Sequence, residues 1–306
     1  MADVTVIILT YNEEKHIERC LQSLSSFAKH IVIIDSYSTD NTVEIAKNHG
    51  AEVLLNQWPG NQAMQFQWGL SNLNIETEWI MRLDADEYML QELATEIESK
   101  LPHISDEISG VYMKRRMYFM GKWIKYGGYY PTWLLRIWRN GKGEMEQRWM
   151  DEHIRLTSGR STRFDNDFVD DNLHGLTAWT NKHNHYATRE AADMLNIIYD
   201  FQKSAGVEPK FFGTQEERKR WLKMQYASMP LFLRPLIYFT WRYFLKAGFL
   251  DGKPGLIWHL LQGGWYRFLV DAKIYEIYYK TGKEREKIVE VLAKDYDINW
   301  KGNNNV

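Results

Sequence analysis

Three carboxylates crowd the stretch RLDADEY at residues 82–88, directly after the apolar run WIM. Like charges this close raise one another's energy unless water, a cation or a basic group neutralises them. Asp84 and Asp86, two positions apart, offer the hard oxygen donors that Mg²⁺ and Mn²⁺ prefer. Mg²⁺ is commonly held by one or two carboxylates plus phosphate oxygens. The expected chemistry is therefore divalent-cation binding at a strand end, with Glu87 a solvated neighbour.

The strand that delivers these residues belongs to an alternating series. VTVIILT (4–10), HIVIID (30–35), AEVLL (51–55) and EWIMRL (78–83) are short and largely apolar at consecutive positions, as strands buried on both faces are. EEKHIERCLQSLSS sets Ile17, Leu21 and Leu24 at helical spacing between the first two. STDNTVEIAKNHG supplies Thr39 or Asp40 as N-cap, with Asp40 assigned mainly to capping, and Gly50 as C-cap; a further helix falls near 61–72. Strands alternating with helices imply an open α/β sheet. Ligands of such sheets bind beyond the carboxyl ends of the strands. TYNEE (10–14), DSYSTDNT (35–42) and DADEY (84–88) all stand there and are expected to converge on one cleft.

A length of 306 residues suffices for a large domain with an extension, predicted here as 1–200 and 201–306. Net charge is −2, without the basic field of a nucleic-acid binder, so nucleic acid is excluded as a partner. The single cysteine, Cys20, reads as a small buried hydrophobe. The opening MADVTVIILTYNEE reads as a first strand, not a leader, and no uncharged run reaches the roughly 18 residues of a membrane span, so a cytoplasmic chain is expected. After the first strand there is no G-x-G-x-x-G, and no P-loop occurs. If this sheet holds a nucleoside diphosphate, a cation on Asp84 and Asp86 is the substitute for a glycine-rich cradle.

In order and spacing, TYNEE, DSYSTDNT and DAD (84–86) resemble the family 2 glycosyltransferases with the GT-A fold. The likeness continues into GGYYPTWLLRIWR (127–139), DEH (151–153) and GFLDGKPG (248–255), where it is similar to the branch that builds lipopolysaccharide cores and related bacterial surface glycans. The resemblance implies a nucleotide-binding open mixed sheet flanked by helices, with a helical C-terminal extension. It also implies inverting transfer from a nucleotide sugar, UDP-linked in the first instance, to a hydroxyl of a glycan or lipid-linked acceptor. On the same basis Thr10, Tyr11, Glu13 and Asp35 would grip the nucleoside. Asp84 would lie nearer ribose and metal, and Asp86 would bind the Mn²⁺ or Mg²⁺ directly.

Such a transfer needs a general base for the acceptor hydroxyl and stabilisation of the leaving diphosphate. The resemblance places the base at Glu152, with Asp151 as its neighbour and alternative. His174 is a further candidate metal ligand, set against a structural histidine. Arg136 could neutralise diphosphate, and Tyr129, Tyr130 and Trp133 could offer a sugar platform, although core packing also explains them. The acidic run FDNDFVDDN (164–172) reads as a solvated surface loop.

Past residue 200 the chain is helical, aromatic and basic. Residues 203–253 hold ten basic side chains against four acidic. In MPLFLRPLIYFTWRYFLKAGFL (229–250), Arg234, Arg242 and Lys246 share one helical face, and LIWHLLQGGWYRFLV (256–270) adds Trp258 and Trp265. This pattern predicts peripheral binding to an anionic membrane surface, on the inner face of the cell membrane; a helical packing domain or dimer interface is the alternative. Two other functions compete. A haloacid dehalogenase type phosphatase would use Asp84 as nucleophile, but its motif requires Thr or Val where Tyr88 stands. A non-catalytic nucleotide-sugar-binding scaffold would keep the same fold without turnover.

Overall fold

The structure is a computed structural model that describes residues 1–146, 154–201, 211–212 and 215–298. The chain divides into two compact units, Met1–Gly175 and Leu176–Val306.

The first unit opens with four parallel strands, β1 (Ala2–Thr10), β2 (Ala28–Asp35), β3 (Glu52–Leu55) and β4 (Trp79–Asp84), in spatial order β3-β2-β1-β4. The helices α1 (Ile17–Leu24), α2 (Thr42–Asn48) and α3 (Gln62–Asn72) connect them. Alternation along β1 explains the unbroken apolar runs. Val4, Val6 and Ile8 join one layer with Ile17, Leu21 and Leu24 of α1, whereas Ile7 joins the opposite layer with Ala63 and Phe66 of α3. Cys20 is buried in the first layer, and burial pushes its thiol well above the ordinary range, as expected of a packing residue.

Beyond β4 the sheet becomes mixed. The chain continues through β5 (Glu87–Met89), α4 (Gln91–Lys100), β6 (Ile108–Phe119), β7 (Lys122–Trp123), β8 (Thr132–Arg139), β9 (Gly143–Met145), β10 (Ile154–Leu156) and β11 (Arg160–Asp171). β8 lies antiparallel between β4 and β6, β11 runs parallel to β6, and β5 pairs antiparallel with β11. The expected loop at 164–172 is thus the end of a sheet strand. Its acids are not solvated as a group: Asp167 is buried and ion-paired with Arg116 (2.6 Å) and Lys114 (3.4 Å), and Asp170 with Arg115 (3.1 Å), all on β6. Opposite charges on neighbouring strands support the pairing.

The second unit is helical, with α5 (Gly175–Tyr199), α6 (Gln215–Ser228), α7 (Leu233–Thr240), α8 (Gly252–Trp258), α9 (Tyr266–Thr281) and α10 (Arg285–Tyr296). The boundary at Gly175 precedes the expected one at 200. The reason is that α5 gives Ala187, Ala191 and Leu195 to a core shared with Val270, Ile274, Ile277, Ile288 and Leu292. Arg234, expected on a solvated cationic face, is fully buried and ion-paired with buried Asp271 at 2.5 Å. No described helix is long and apolar enough to cross a membrane.

Burial lowers His183 and His259 of this unit to about 4, from an ordinary 6.5. Between those values the unfolded chain binds protons that the folded chain does not, so stability falls as pH drops from about 6.5 toward about 4. Acidification from pH 7 to pH 5 is expected to lower the melting temperature by about 5 °C. Replacing His259 with Gln flattens that pH dependence in thermal melts monitored by circular dichroism.

Candidate active site

Sheet register brings the three motifs together. Thr10 at the end of β1 stands opposite Asp35 at the end of β2, and Leu9 stands opposite Asp84 at the end of β4. All three carboxyl ends therefore open on one edge.

Asp35 organises this edge from within. It is buried; its Oδ2 accepts from the hydroxyls of Thr10 (2.7 Å) and Ser38 (2.6 Å), and its Oδ1 accepts from the Ser38 N–H (2.7 Å). Asp35 thus organises the loop, and three of its roughly four acceptor positions serve that end. TYNEE and DSYSTDNT are then zipped together. The Asn12 N–H donates to Ser38 Oγ, Asn12 Oδ1 accepts from the Thr39 N–H, and the Glu13 N–H donates to Thr42 Oγ1, each at 2.8 Å. Asp40 accepts from the Thr42 N–H at 3.0 Å, one residue ahead of the N-cap of α2, which is Asn41 and not the expected Thr39 or Asp40. Asn12 and Tyr37 both adopt left-handed backbone (φ 56° and 62°), a conformation disfavoured for tyrosine. This geometry leaves Tyr11 and Tyr37 exposed beside one another's loops.

The acidic turn has a neutralising partner of its own. Glu87 is buried, contrary to the solvated position expected for it; it bonds Arg136 and accepts from the Asp84 N–H at 3.0 Å. Arg136, supplied by β8, also lies 3.5 Å from Asp84 Oδ2, while Arg82 lies 3.4 Å from Asp84 Oδ1. Burial raises Glu87 above the ordinary carboxylate range, Arg136 pulls it back down, and Asp84 adds to the rise. Arg136 therefore braces the turn from inside.

Asp86 is half-buried and tied to the end of β11. Its backbone carbonyl accepts from the Asp171 N–H (3.1 Å) and its Oδ2 from Asn172 Nδ2 (2.9 Å); Asn172 Oδ1 in turn accepts from the His174 N–H (3.0 Å). His174 faces Glu13, with its Nε2 3.5 Å from Glu13 Oε2. Glu13, His16 and His174 place ligand atoms within 4.8 Å of one another. However, His16 Nε2 accepts the Leu173 N–H at 2.8 Å, which puts its proton on Nδ1, from which it donates to Glu13 at 2.6 Å. His16 therefore has no lone pair left for a cation. It works as a brace that fixes Glu13 and the 172–174 segment.

Tyr129, Tyr130 and Trp133 are half-buried. Tyr130 donates to Asp167 (3.1 Å), and Trp133 lies beneath Arg163 (4.9 Å) and Lys114 (5.6 Å), so the latter two are committed to the β6–β11 charge ladder. Asp151 and Glu152 lie outside the described residues. Sequence reasoning missed His16, Tyr37, Arg82 and Asn172. The available signal for the last was Phe168–Val169, an apolar pair that marks its acidic surroundings as a strand.

A glycosyl transferase family 2 model matches residues 5–171, the span that carries TYNEE, DSYSTDNT and DADEY and ends just before Asn172 and His174. The chain belongs to glycosyl transferase family 2. That assignment, together with the mixed sheet flanked by helices, establishes the expected fold class and removes the phosphatase alternative. The lipopolysaccharide core biosynthesis glycosyltransferase LpsC of Rhizobium meliloti is 28% identical over 89% of this chain and 92% of its own. An uncharacterized glycosyltransferase of Rickettsia typhi is 36% identical over 32% of each chain, so this chain matches about a third of the length of that relative. Among solved structures, a mannosyltransferase of Pyrobaculum calidifontis, in complex with GDP-Man and Mn²⁺, aligns over 89% of this chain and 87% of its own, with 15% identity and a TM-score of 0.48.

In this family 2 chain the Glu87–Arg136 pair is expected to be energetically coupled. Arg136→Met leaves Glu87 buried without its guanidinium and should lower unfolding free energy by about 3–5 kcal/mol in urea titrations. Adding Glu87→Gln in the same chain should recover part of that loss.

Proposed function

We propose that this glycosyltransferase moves a sugar, with inversion, from a UDP-linked donor to a hydroxyl of a glycan or lipid-linked acceptor in bacterial surface polysaccharide or lipopolysaccharide synthesis. The observation that carries the reading is the convergence, on one sheet edge, of the loop organised by Asp35, the Asp84–Asp86 turn and the Asn172–His174 segment. The similarity to LpsC over nearly the whole chain supports the class of acceptor.

Asp86 supplies the hard oxygen donors that a divalent cation prefers, and Asn172 ties its carboxylate to the backbone N–H of half-buried His174. In this reading Asp86 and His174, with Asp84 beside them, would hold Mn²⁺ or Mg²⁺. The ion would supply Lewis-acid stabilisation of the departing diphosphate. Tyr11 and Tyr37 border the nucleoside, while Thr10 and Asp35 hold their loops in place. Glu152, or Asp151 beside it, takes the acceptor hydroxyl proton. The acceptor oxygen then bonds the anomeric carbon as the bond from that carbon to the diphosphate oxygen breaks. The acceptor is met at the inner face of the cell membrane, which makes this a peripheral membrane enzyme.

Thermal shift with each common nucleotide sugar plus Mn²⁺ tests the donor, and the anomeric configuration of the product by NMR tests inversion. Asp86→Asn should abolish metal-dependent binding of UDP, and unchanged affinity would remove Asp86 from the metal site. Glu152→Gln should keep donor binding while transfer falls about 10²–10⁴-fold. A larger loss in Asp151→Asn would move the base by one residue.

A further inference from the structure

Along α7 and the wider, π-type helical turn that continues it (Trp241–Leu245), apolar side chains repeat at 233, 236, 237, 241, 244 and 245. This is the spacing of a core-facing stripe, yet the stripe points to solvent, with Leu236 61% and Leu245 75% exposed. The opposite side of the helix buries Arg234 against Asp271 and buries Pro235. The helix is thus turned inside out relative to an ordinary surface helix. Phe232 extends the stripe onto α9, where it contacts the exposed rings of Phe268 (5.1 Å) and Tyr275 (5.9 Å). Exposed apolar surface of this extent marks a partner or a membrane.

Charge selects between the two. From Met229 to Val270 the one acidic residue is Asp251, which is buried. Lys246 and Lys253 are exposed, and Arg242 is half-buried over Tyr238 at 4.9 Å. The surface around the stripe therefore offers cations and no carboxylate from this segment. Trp241 is partly exposed on it, the residue type that favours the headgroup boundary. Residues 233–245 make a helical rod about 20 Å long, short of the roughly 30 Å hydrocarbon thickness. Such a rod lies in the interface plane.

We propose that this stripe embeds in the headgroup boundary of an anionic bilayer, with Leu236, Trp241, Phe244 and Leu245 inserted and Lys246 and Lys253 against anionic headgroups. The proposal deepens the membrane reading given above, and it makes apolar insertion, not the cationic face expected from sequence, the principal contact. The test uses the full chain with vesicles of phosphatidylcholine alone and with added phosphatidylglycerol. The wild type should sediment with the anionic vesicles at low salt and shift its tryptophan emission to the blue. Brominated acyl chains should quench that emission. Leu236→Glu with Leu245→Glu should weaken vesicle binding at least ten-fold while the melting profile and Mn²⁺-dependent UDP binding stay unchanged. Lys246→Glu with Lys253→Glu should weaken it less and remove most of the salt dependence. No sedimentation of the wild type, or unchanged binding by the leucine variant, overturns the proposal. A wild-type dimer that the leucine substitutions dissociate, without vesicle binding, overturns it in favour of a second copy of this chain. Loss of UDP binding with vesicle binding intact counts against the catalytic reading alone.

Discussion

A carboxylate buried at a strand end is stable only while a cation is held against it, and here β8 delivers that cation. Arg136 reaches Glu87 and approaches Asp84 at the point where β4 ends and β5 begins. Because Glu87 accepts from the Asp84 N–H, the same pair fixes the backbone of the Asp84–Asp86 turn. The antiparallel insertion of β8 beside β4 is what places the arginine there. The parallel half of the sheet could form without β8, but its acidic turn would then lack the guanidinium that offsets the desolvation of Glu87.

The opposite side of the edge is closed by a second set of bonds. Arg19 of α1 donates to the Asp171 side chain (2.7 Å) and to its backbone carbonyl (2.8 Å), and its guanidinium lies over Tyr88 (4.4 Å). His16, at the start of the same helix, takes the Leu173 N–H. The end of the last sheet strand is therefore fastened to the first helix and, through Asn172, to Asp86. Residues more than 150 positions apart in sequence thus share one rigid segment. Such preorganisation keeps the side chains of a binding site in fixed positions.

The legible part of the chain was the part whose burial repeats locally. The runs at 4–10, 30–35, 51–55 and 78–83 announced β1 to β4 because both faces of each strand are covered, and the helix near 61–72 followed from its boundaries. β11 was hidden, since Asp167 and Asp170 look solvated until Lys114, Arg115 and Arg116 are laid beside them by pairing with β6. Glu87 failed for the same reason, its partner lying 49 positions away. Arg234 failed differently. Helical angles group Arg234 with other cations but do not say which face turns inward, and the answer rests on Asp271, the buried acid of α9. Glu152 and Asp151 lie outside the described residues, so their reading still rests on the motif.

Both units bury ion pairs where apolar side chains of similar volume would cost less to desolvate. In the first the pair is Arg136 with Glu87; in the second, Arg234 with Asp271 and Arg267 with Glu190. Replacing such pairs by well-packed apolar residues is often neutral or stabilising, so stability alone does not explain them. What they do share is direction. Arg136 fixes the Asp84–Asp86 turn, at whose end the half-buried Asp86 carboxylate meets Asn172. Arg234 fixes the start of α7, where the Phe232 N–H also donates to Asp271 at 2.7 Å, and thereby decides that Leu233, Leu236 and Ile237 face solvent. An apolar residue at either position could rotate toward the core with its neighbours, whereas a guanidinium bound to one buried carboxylate holds the register and leaves the working side chains outside.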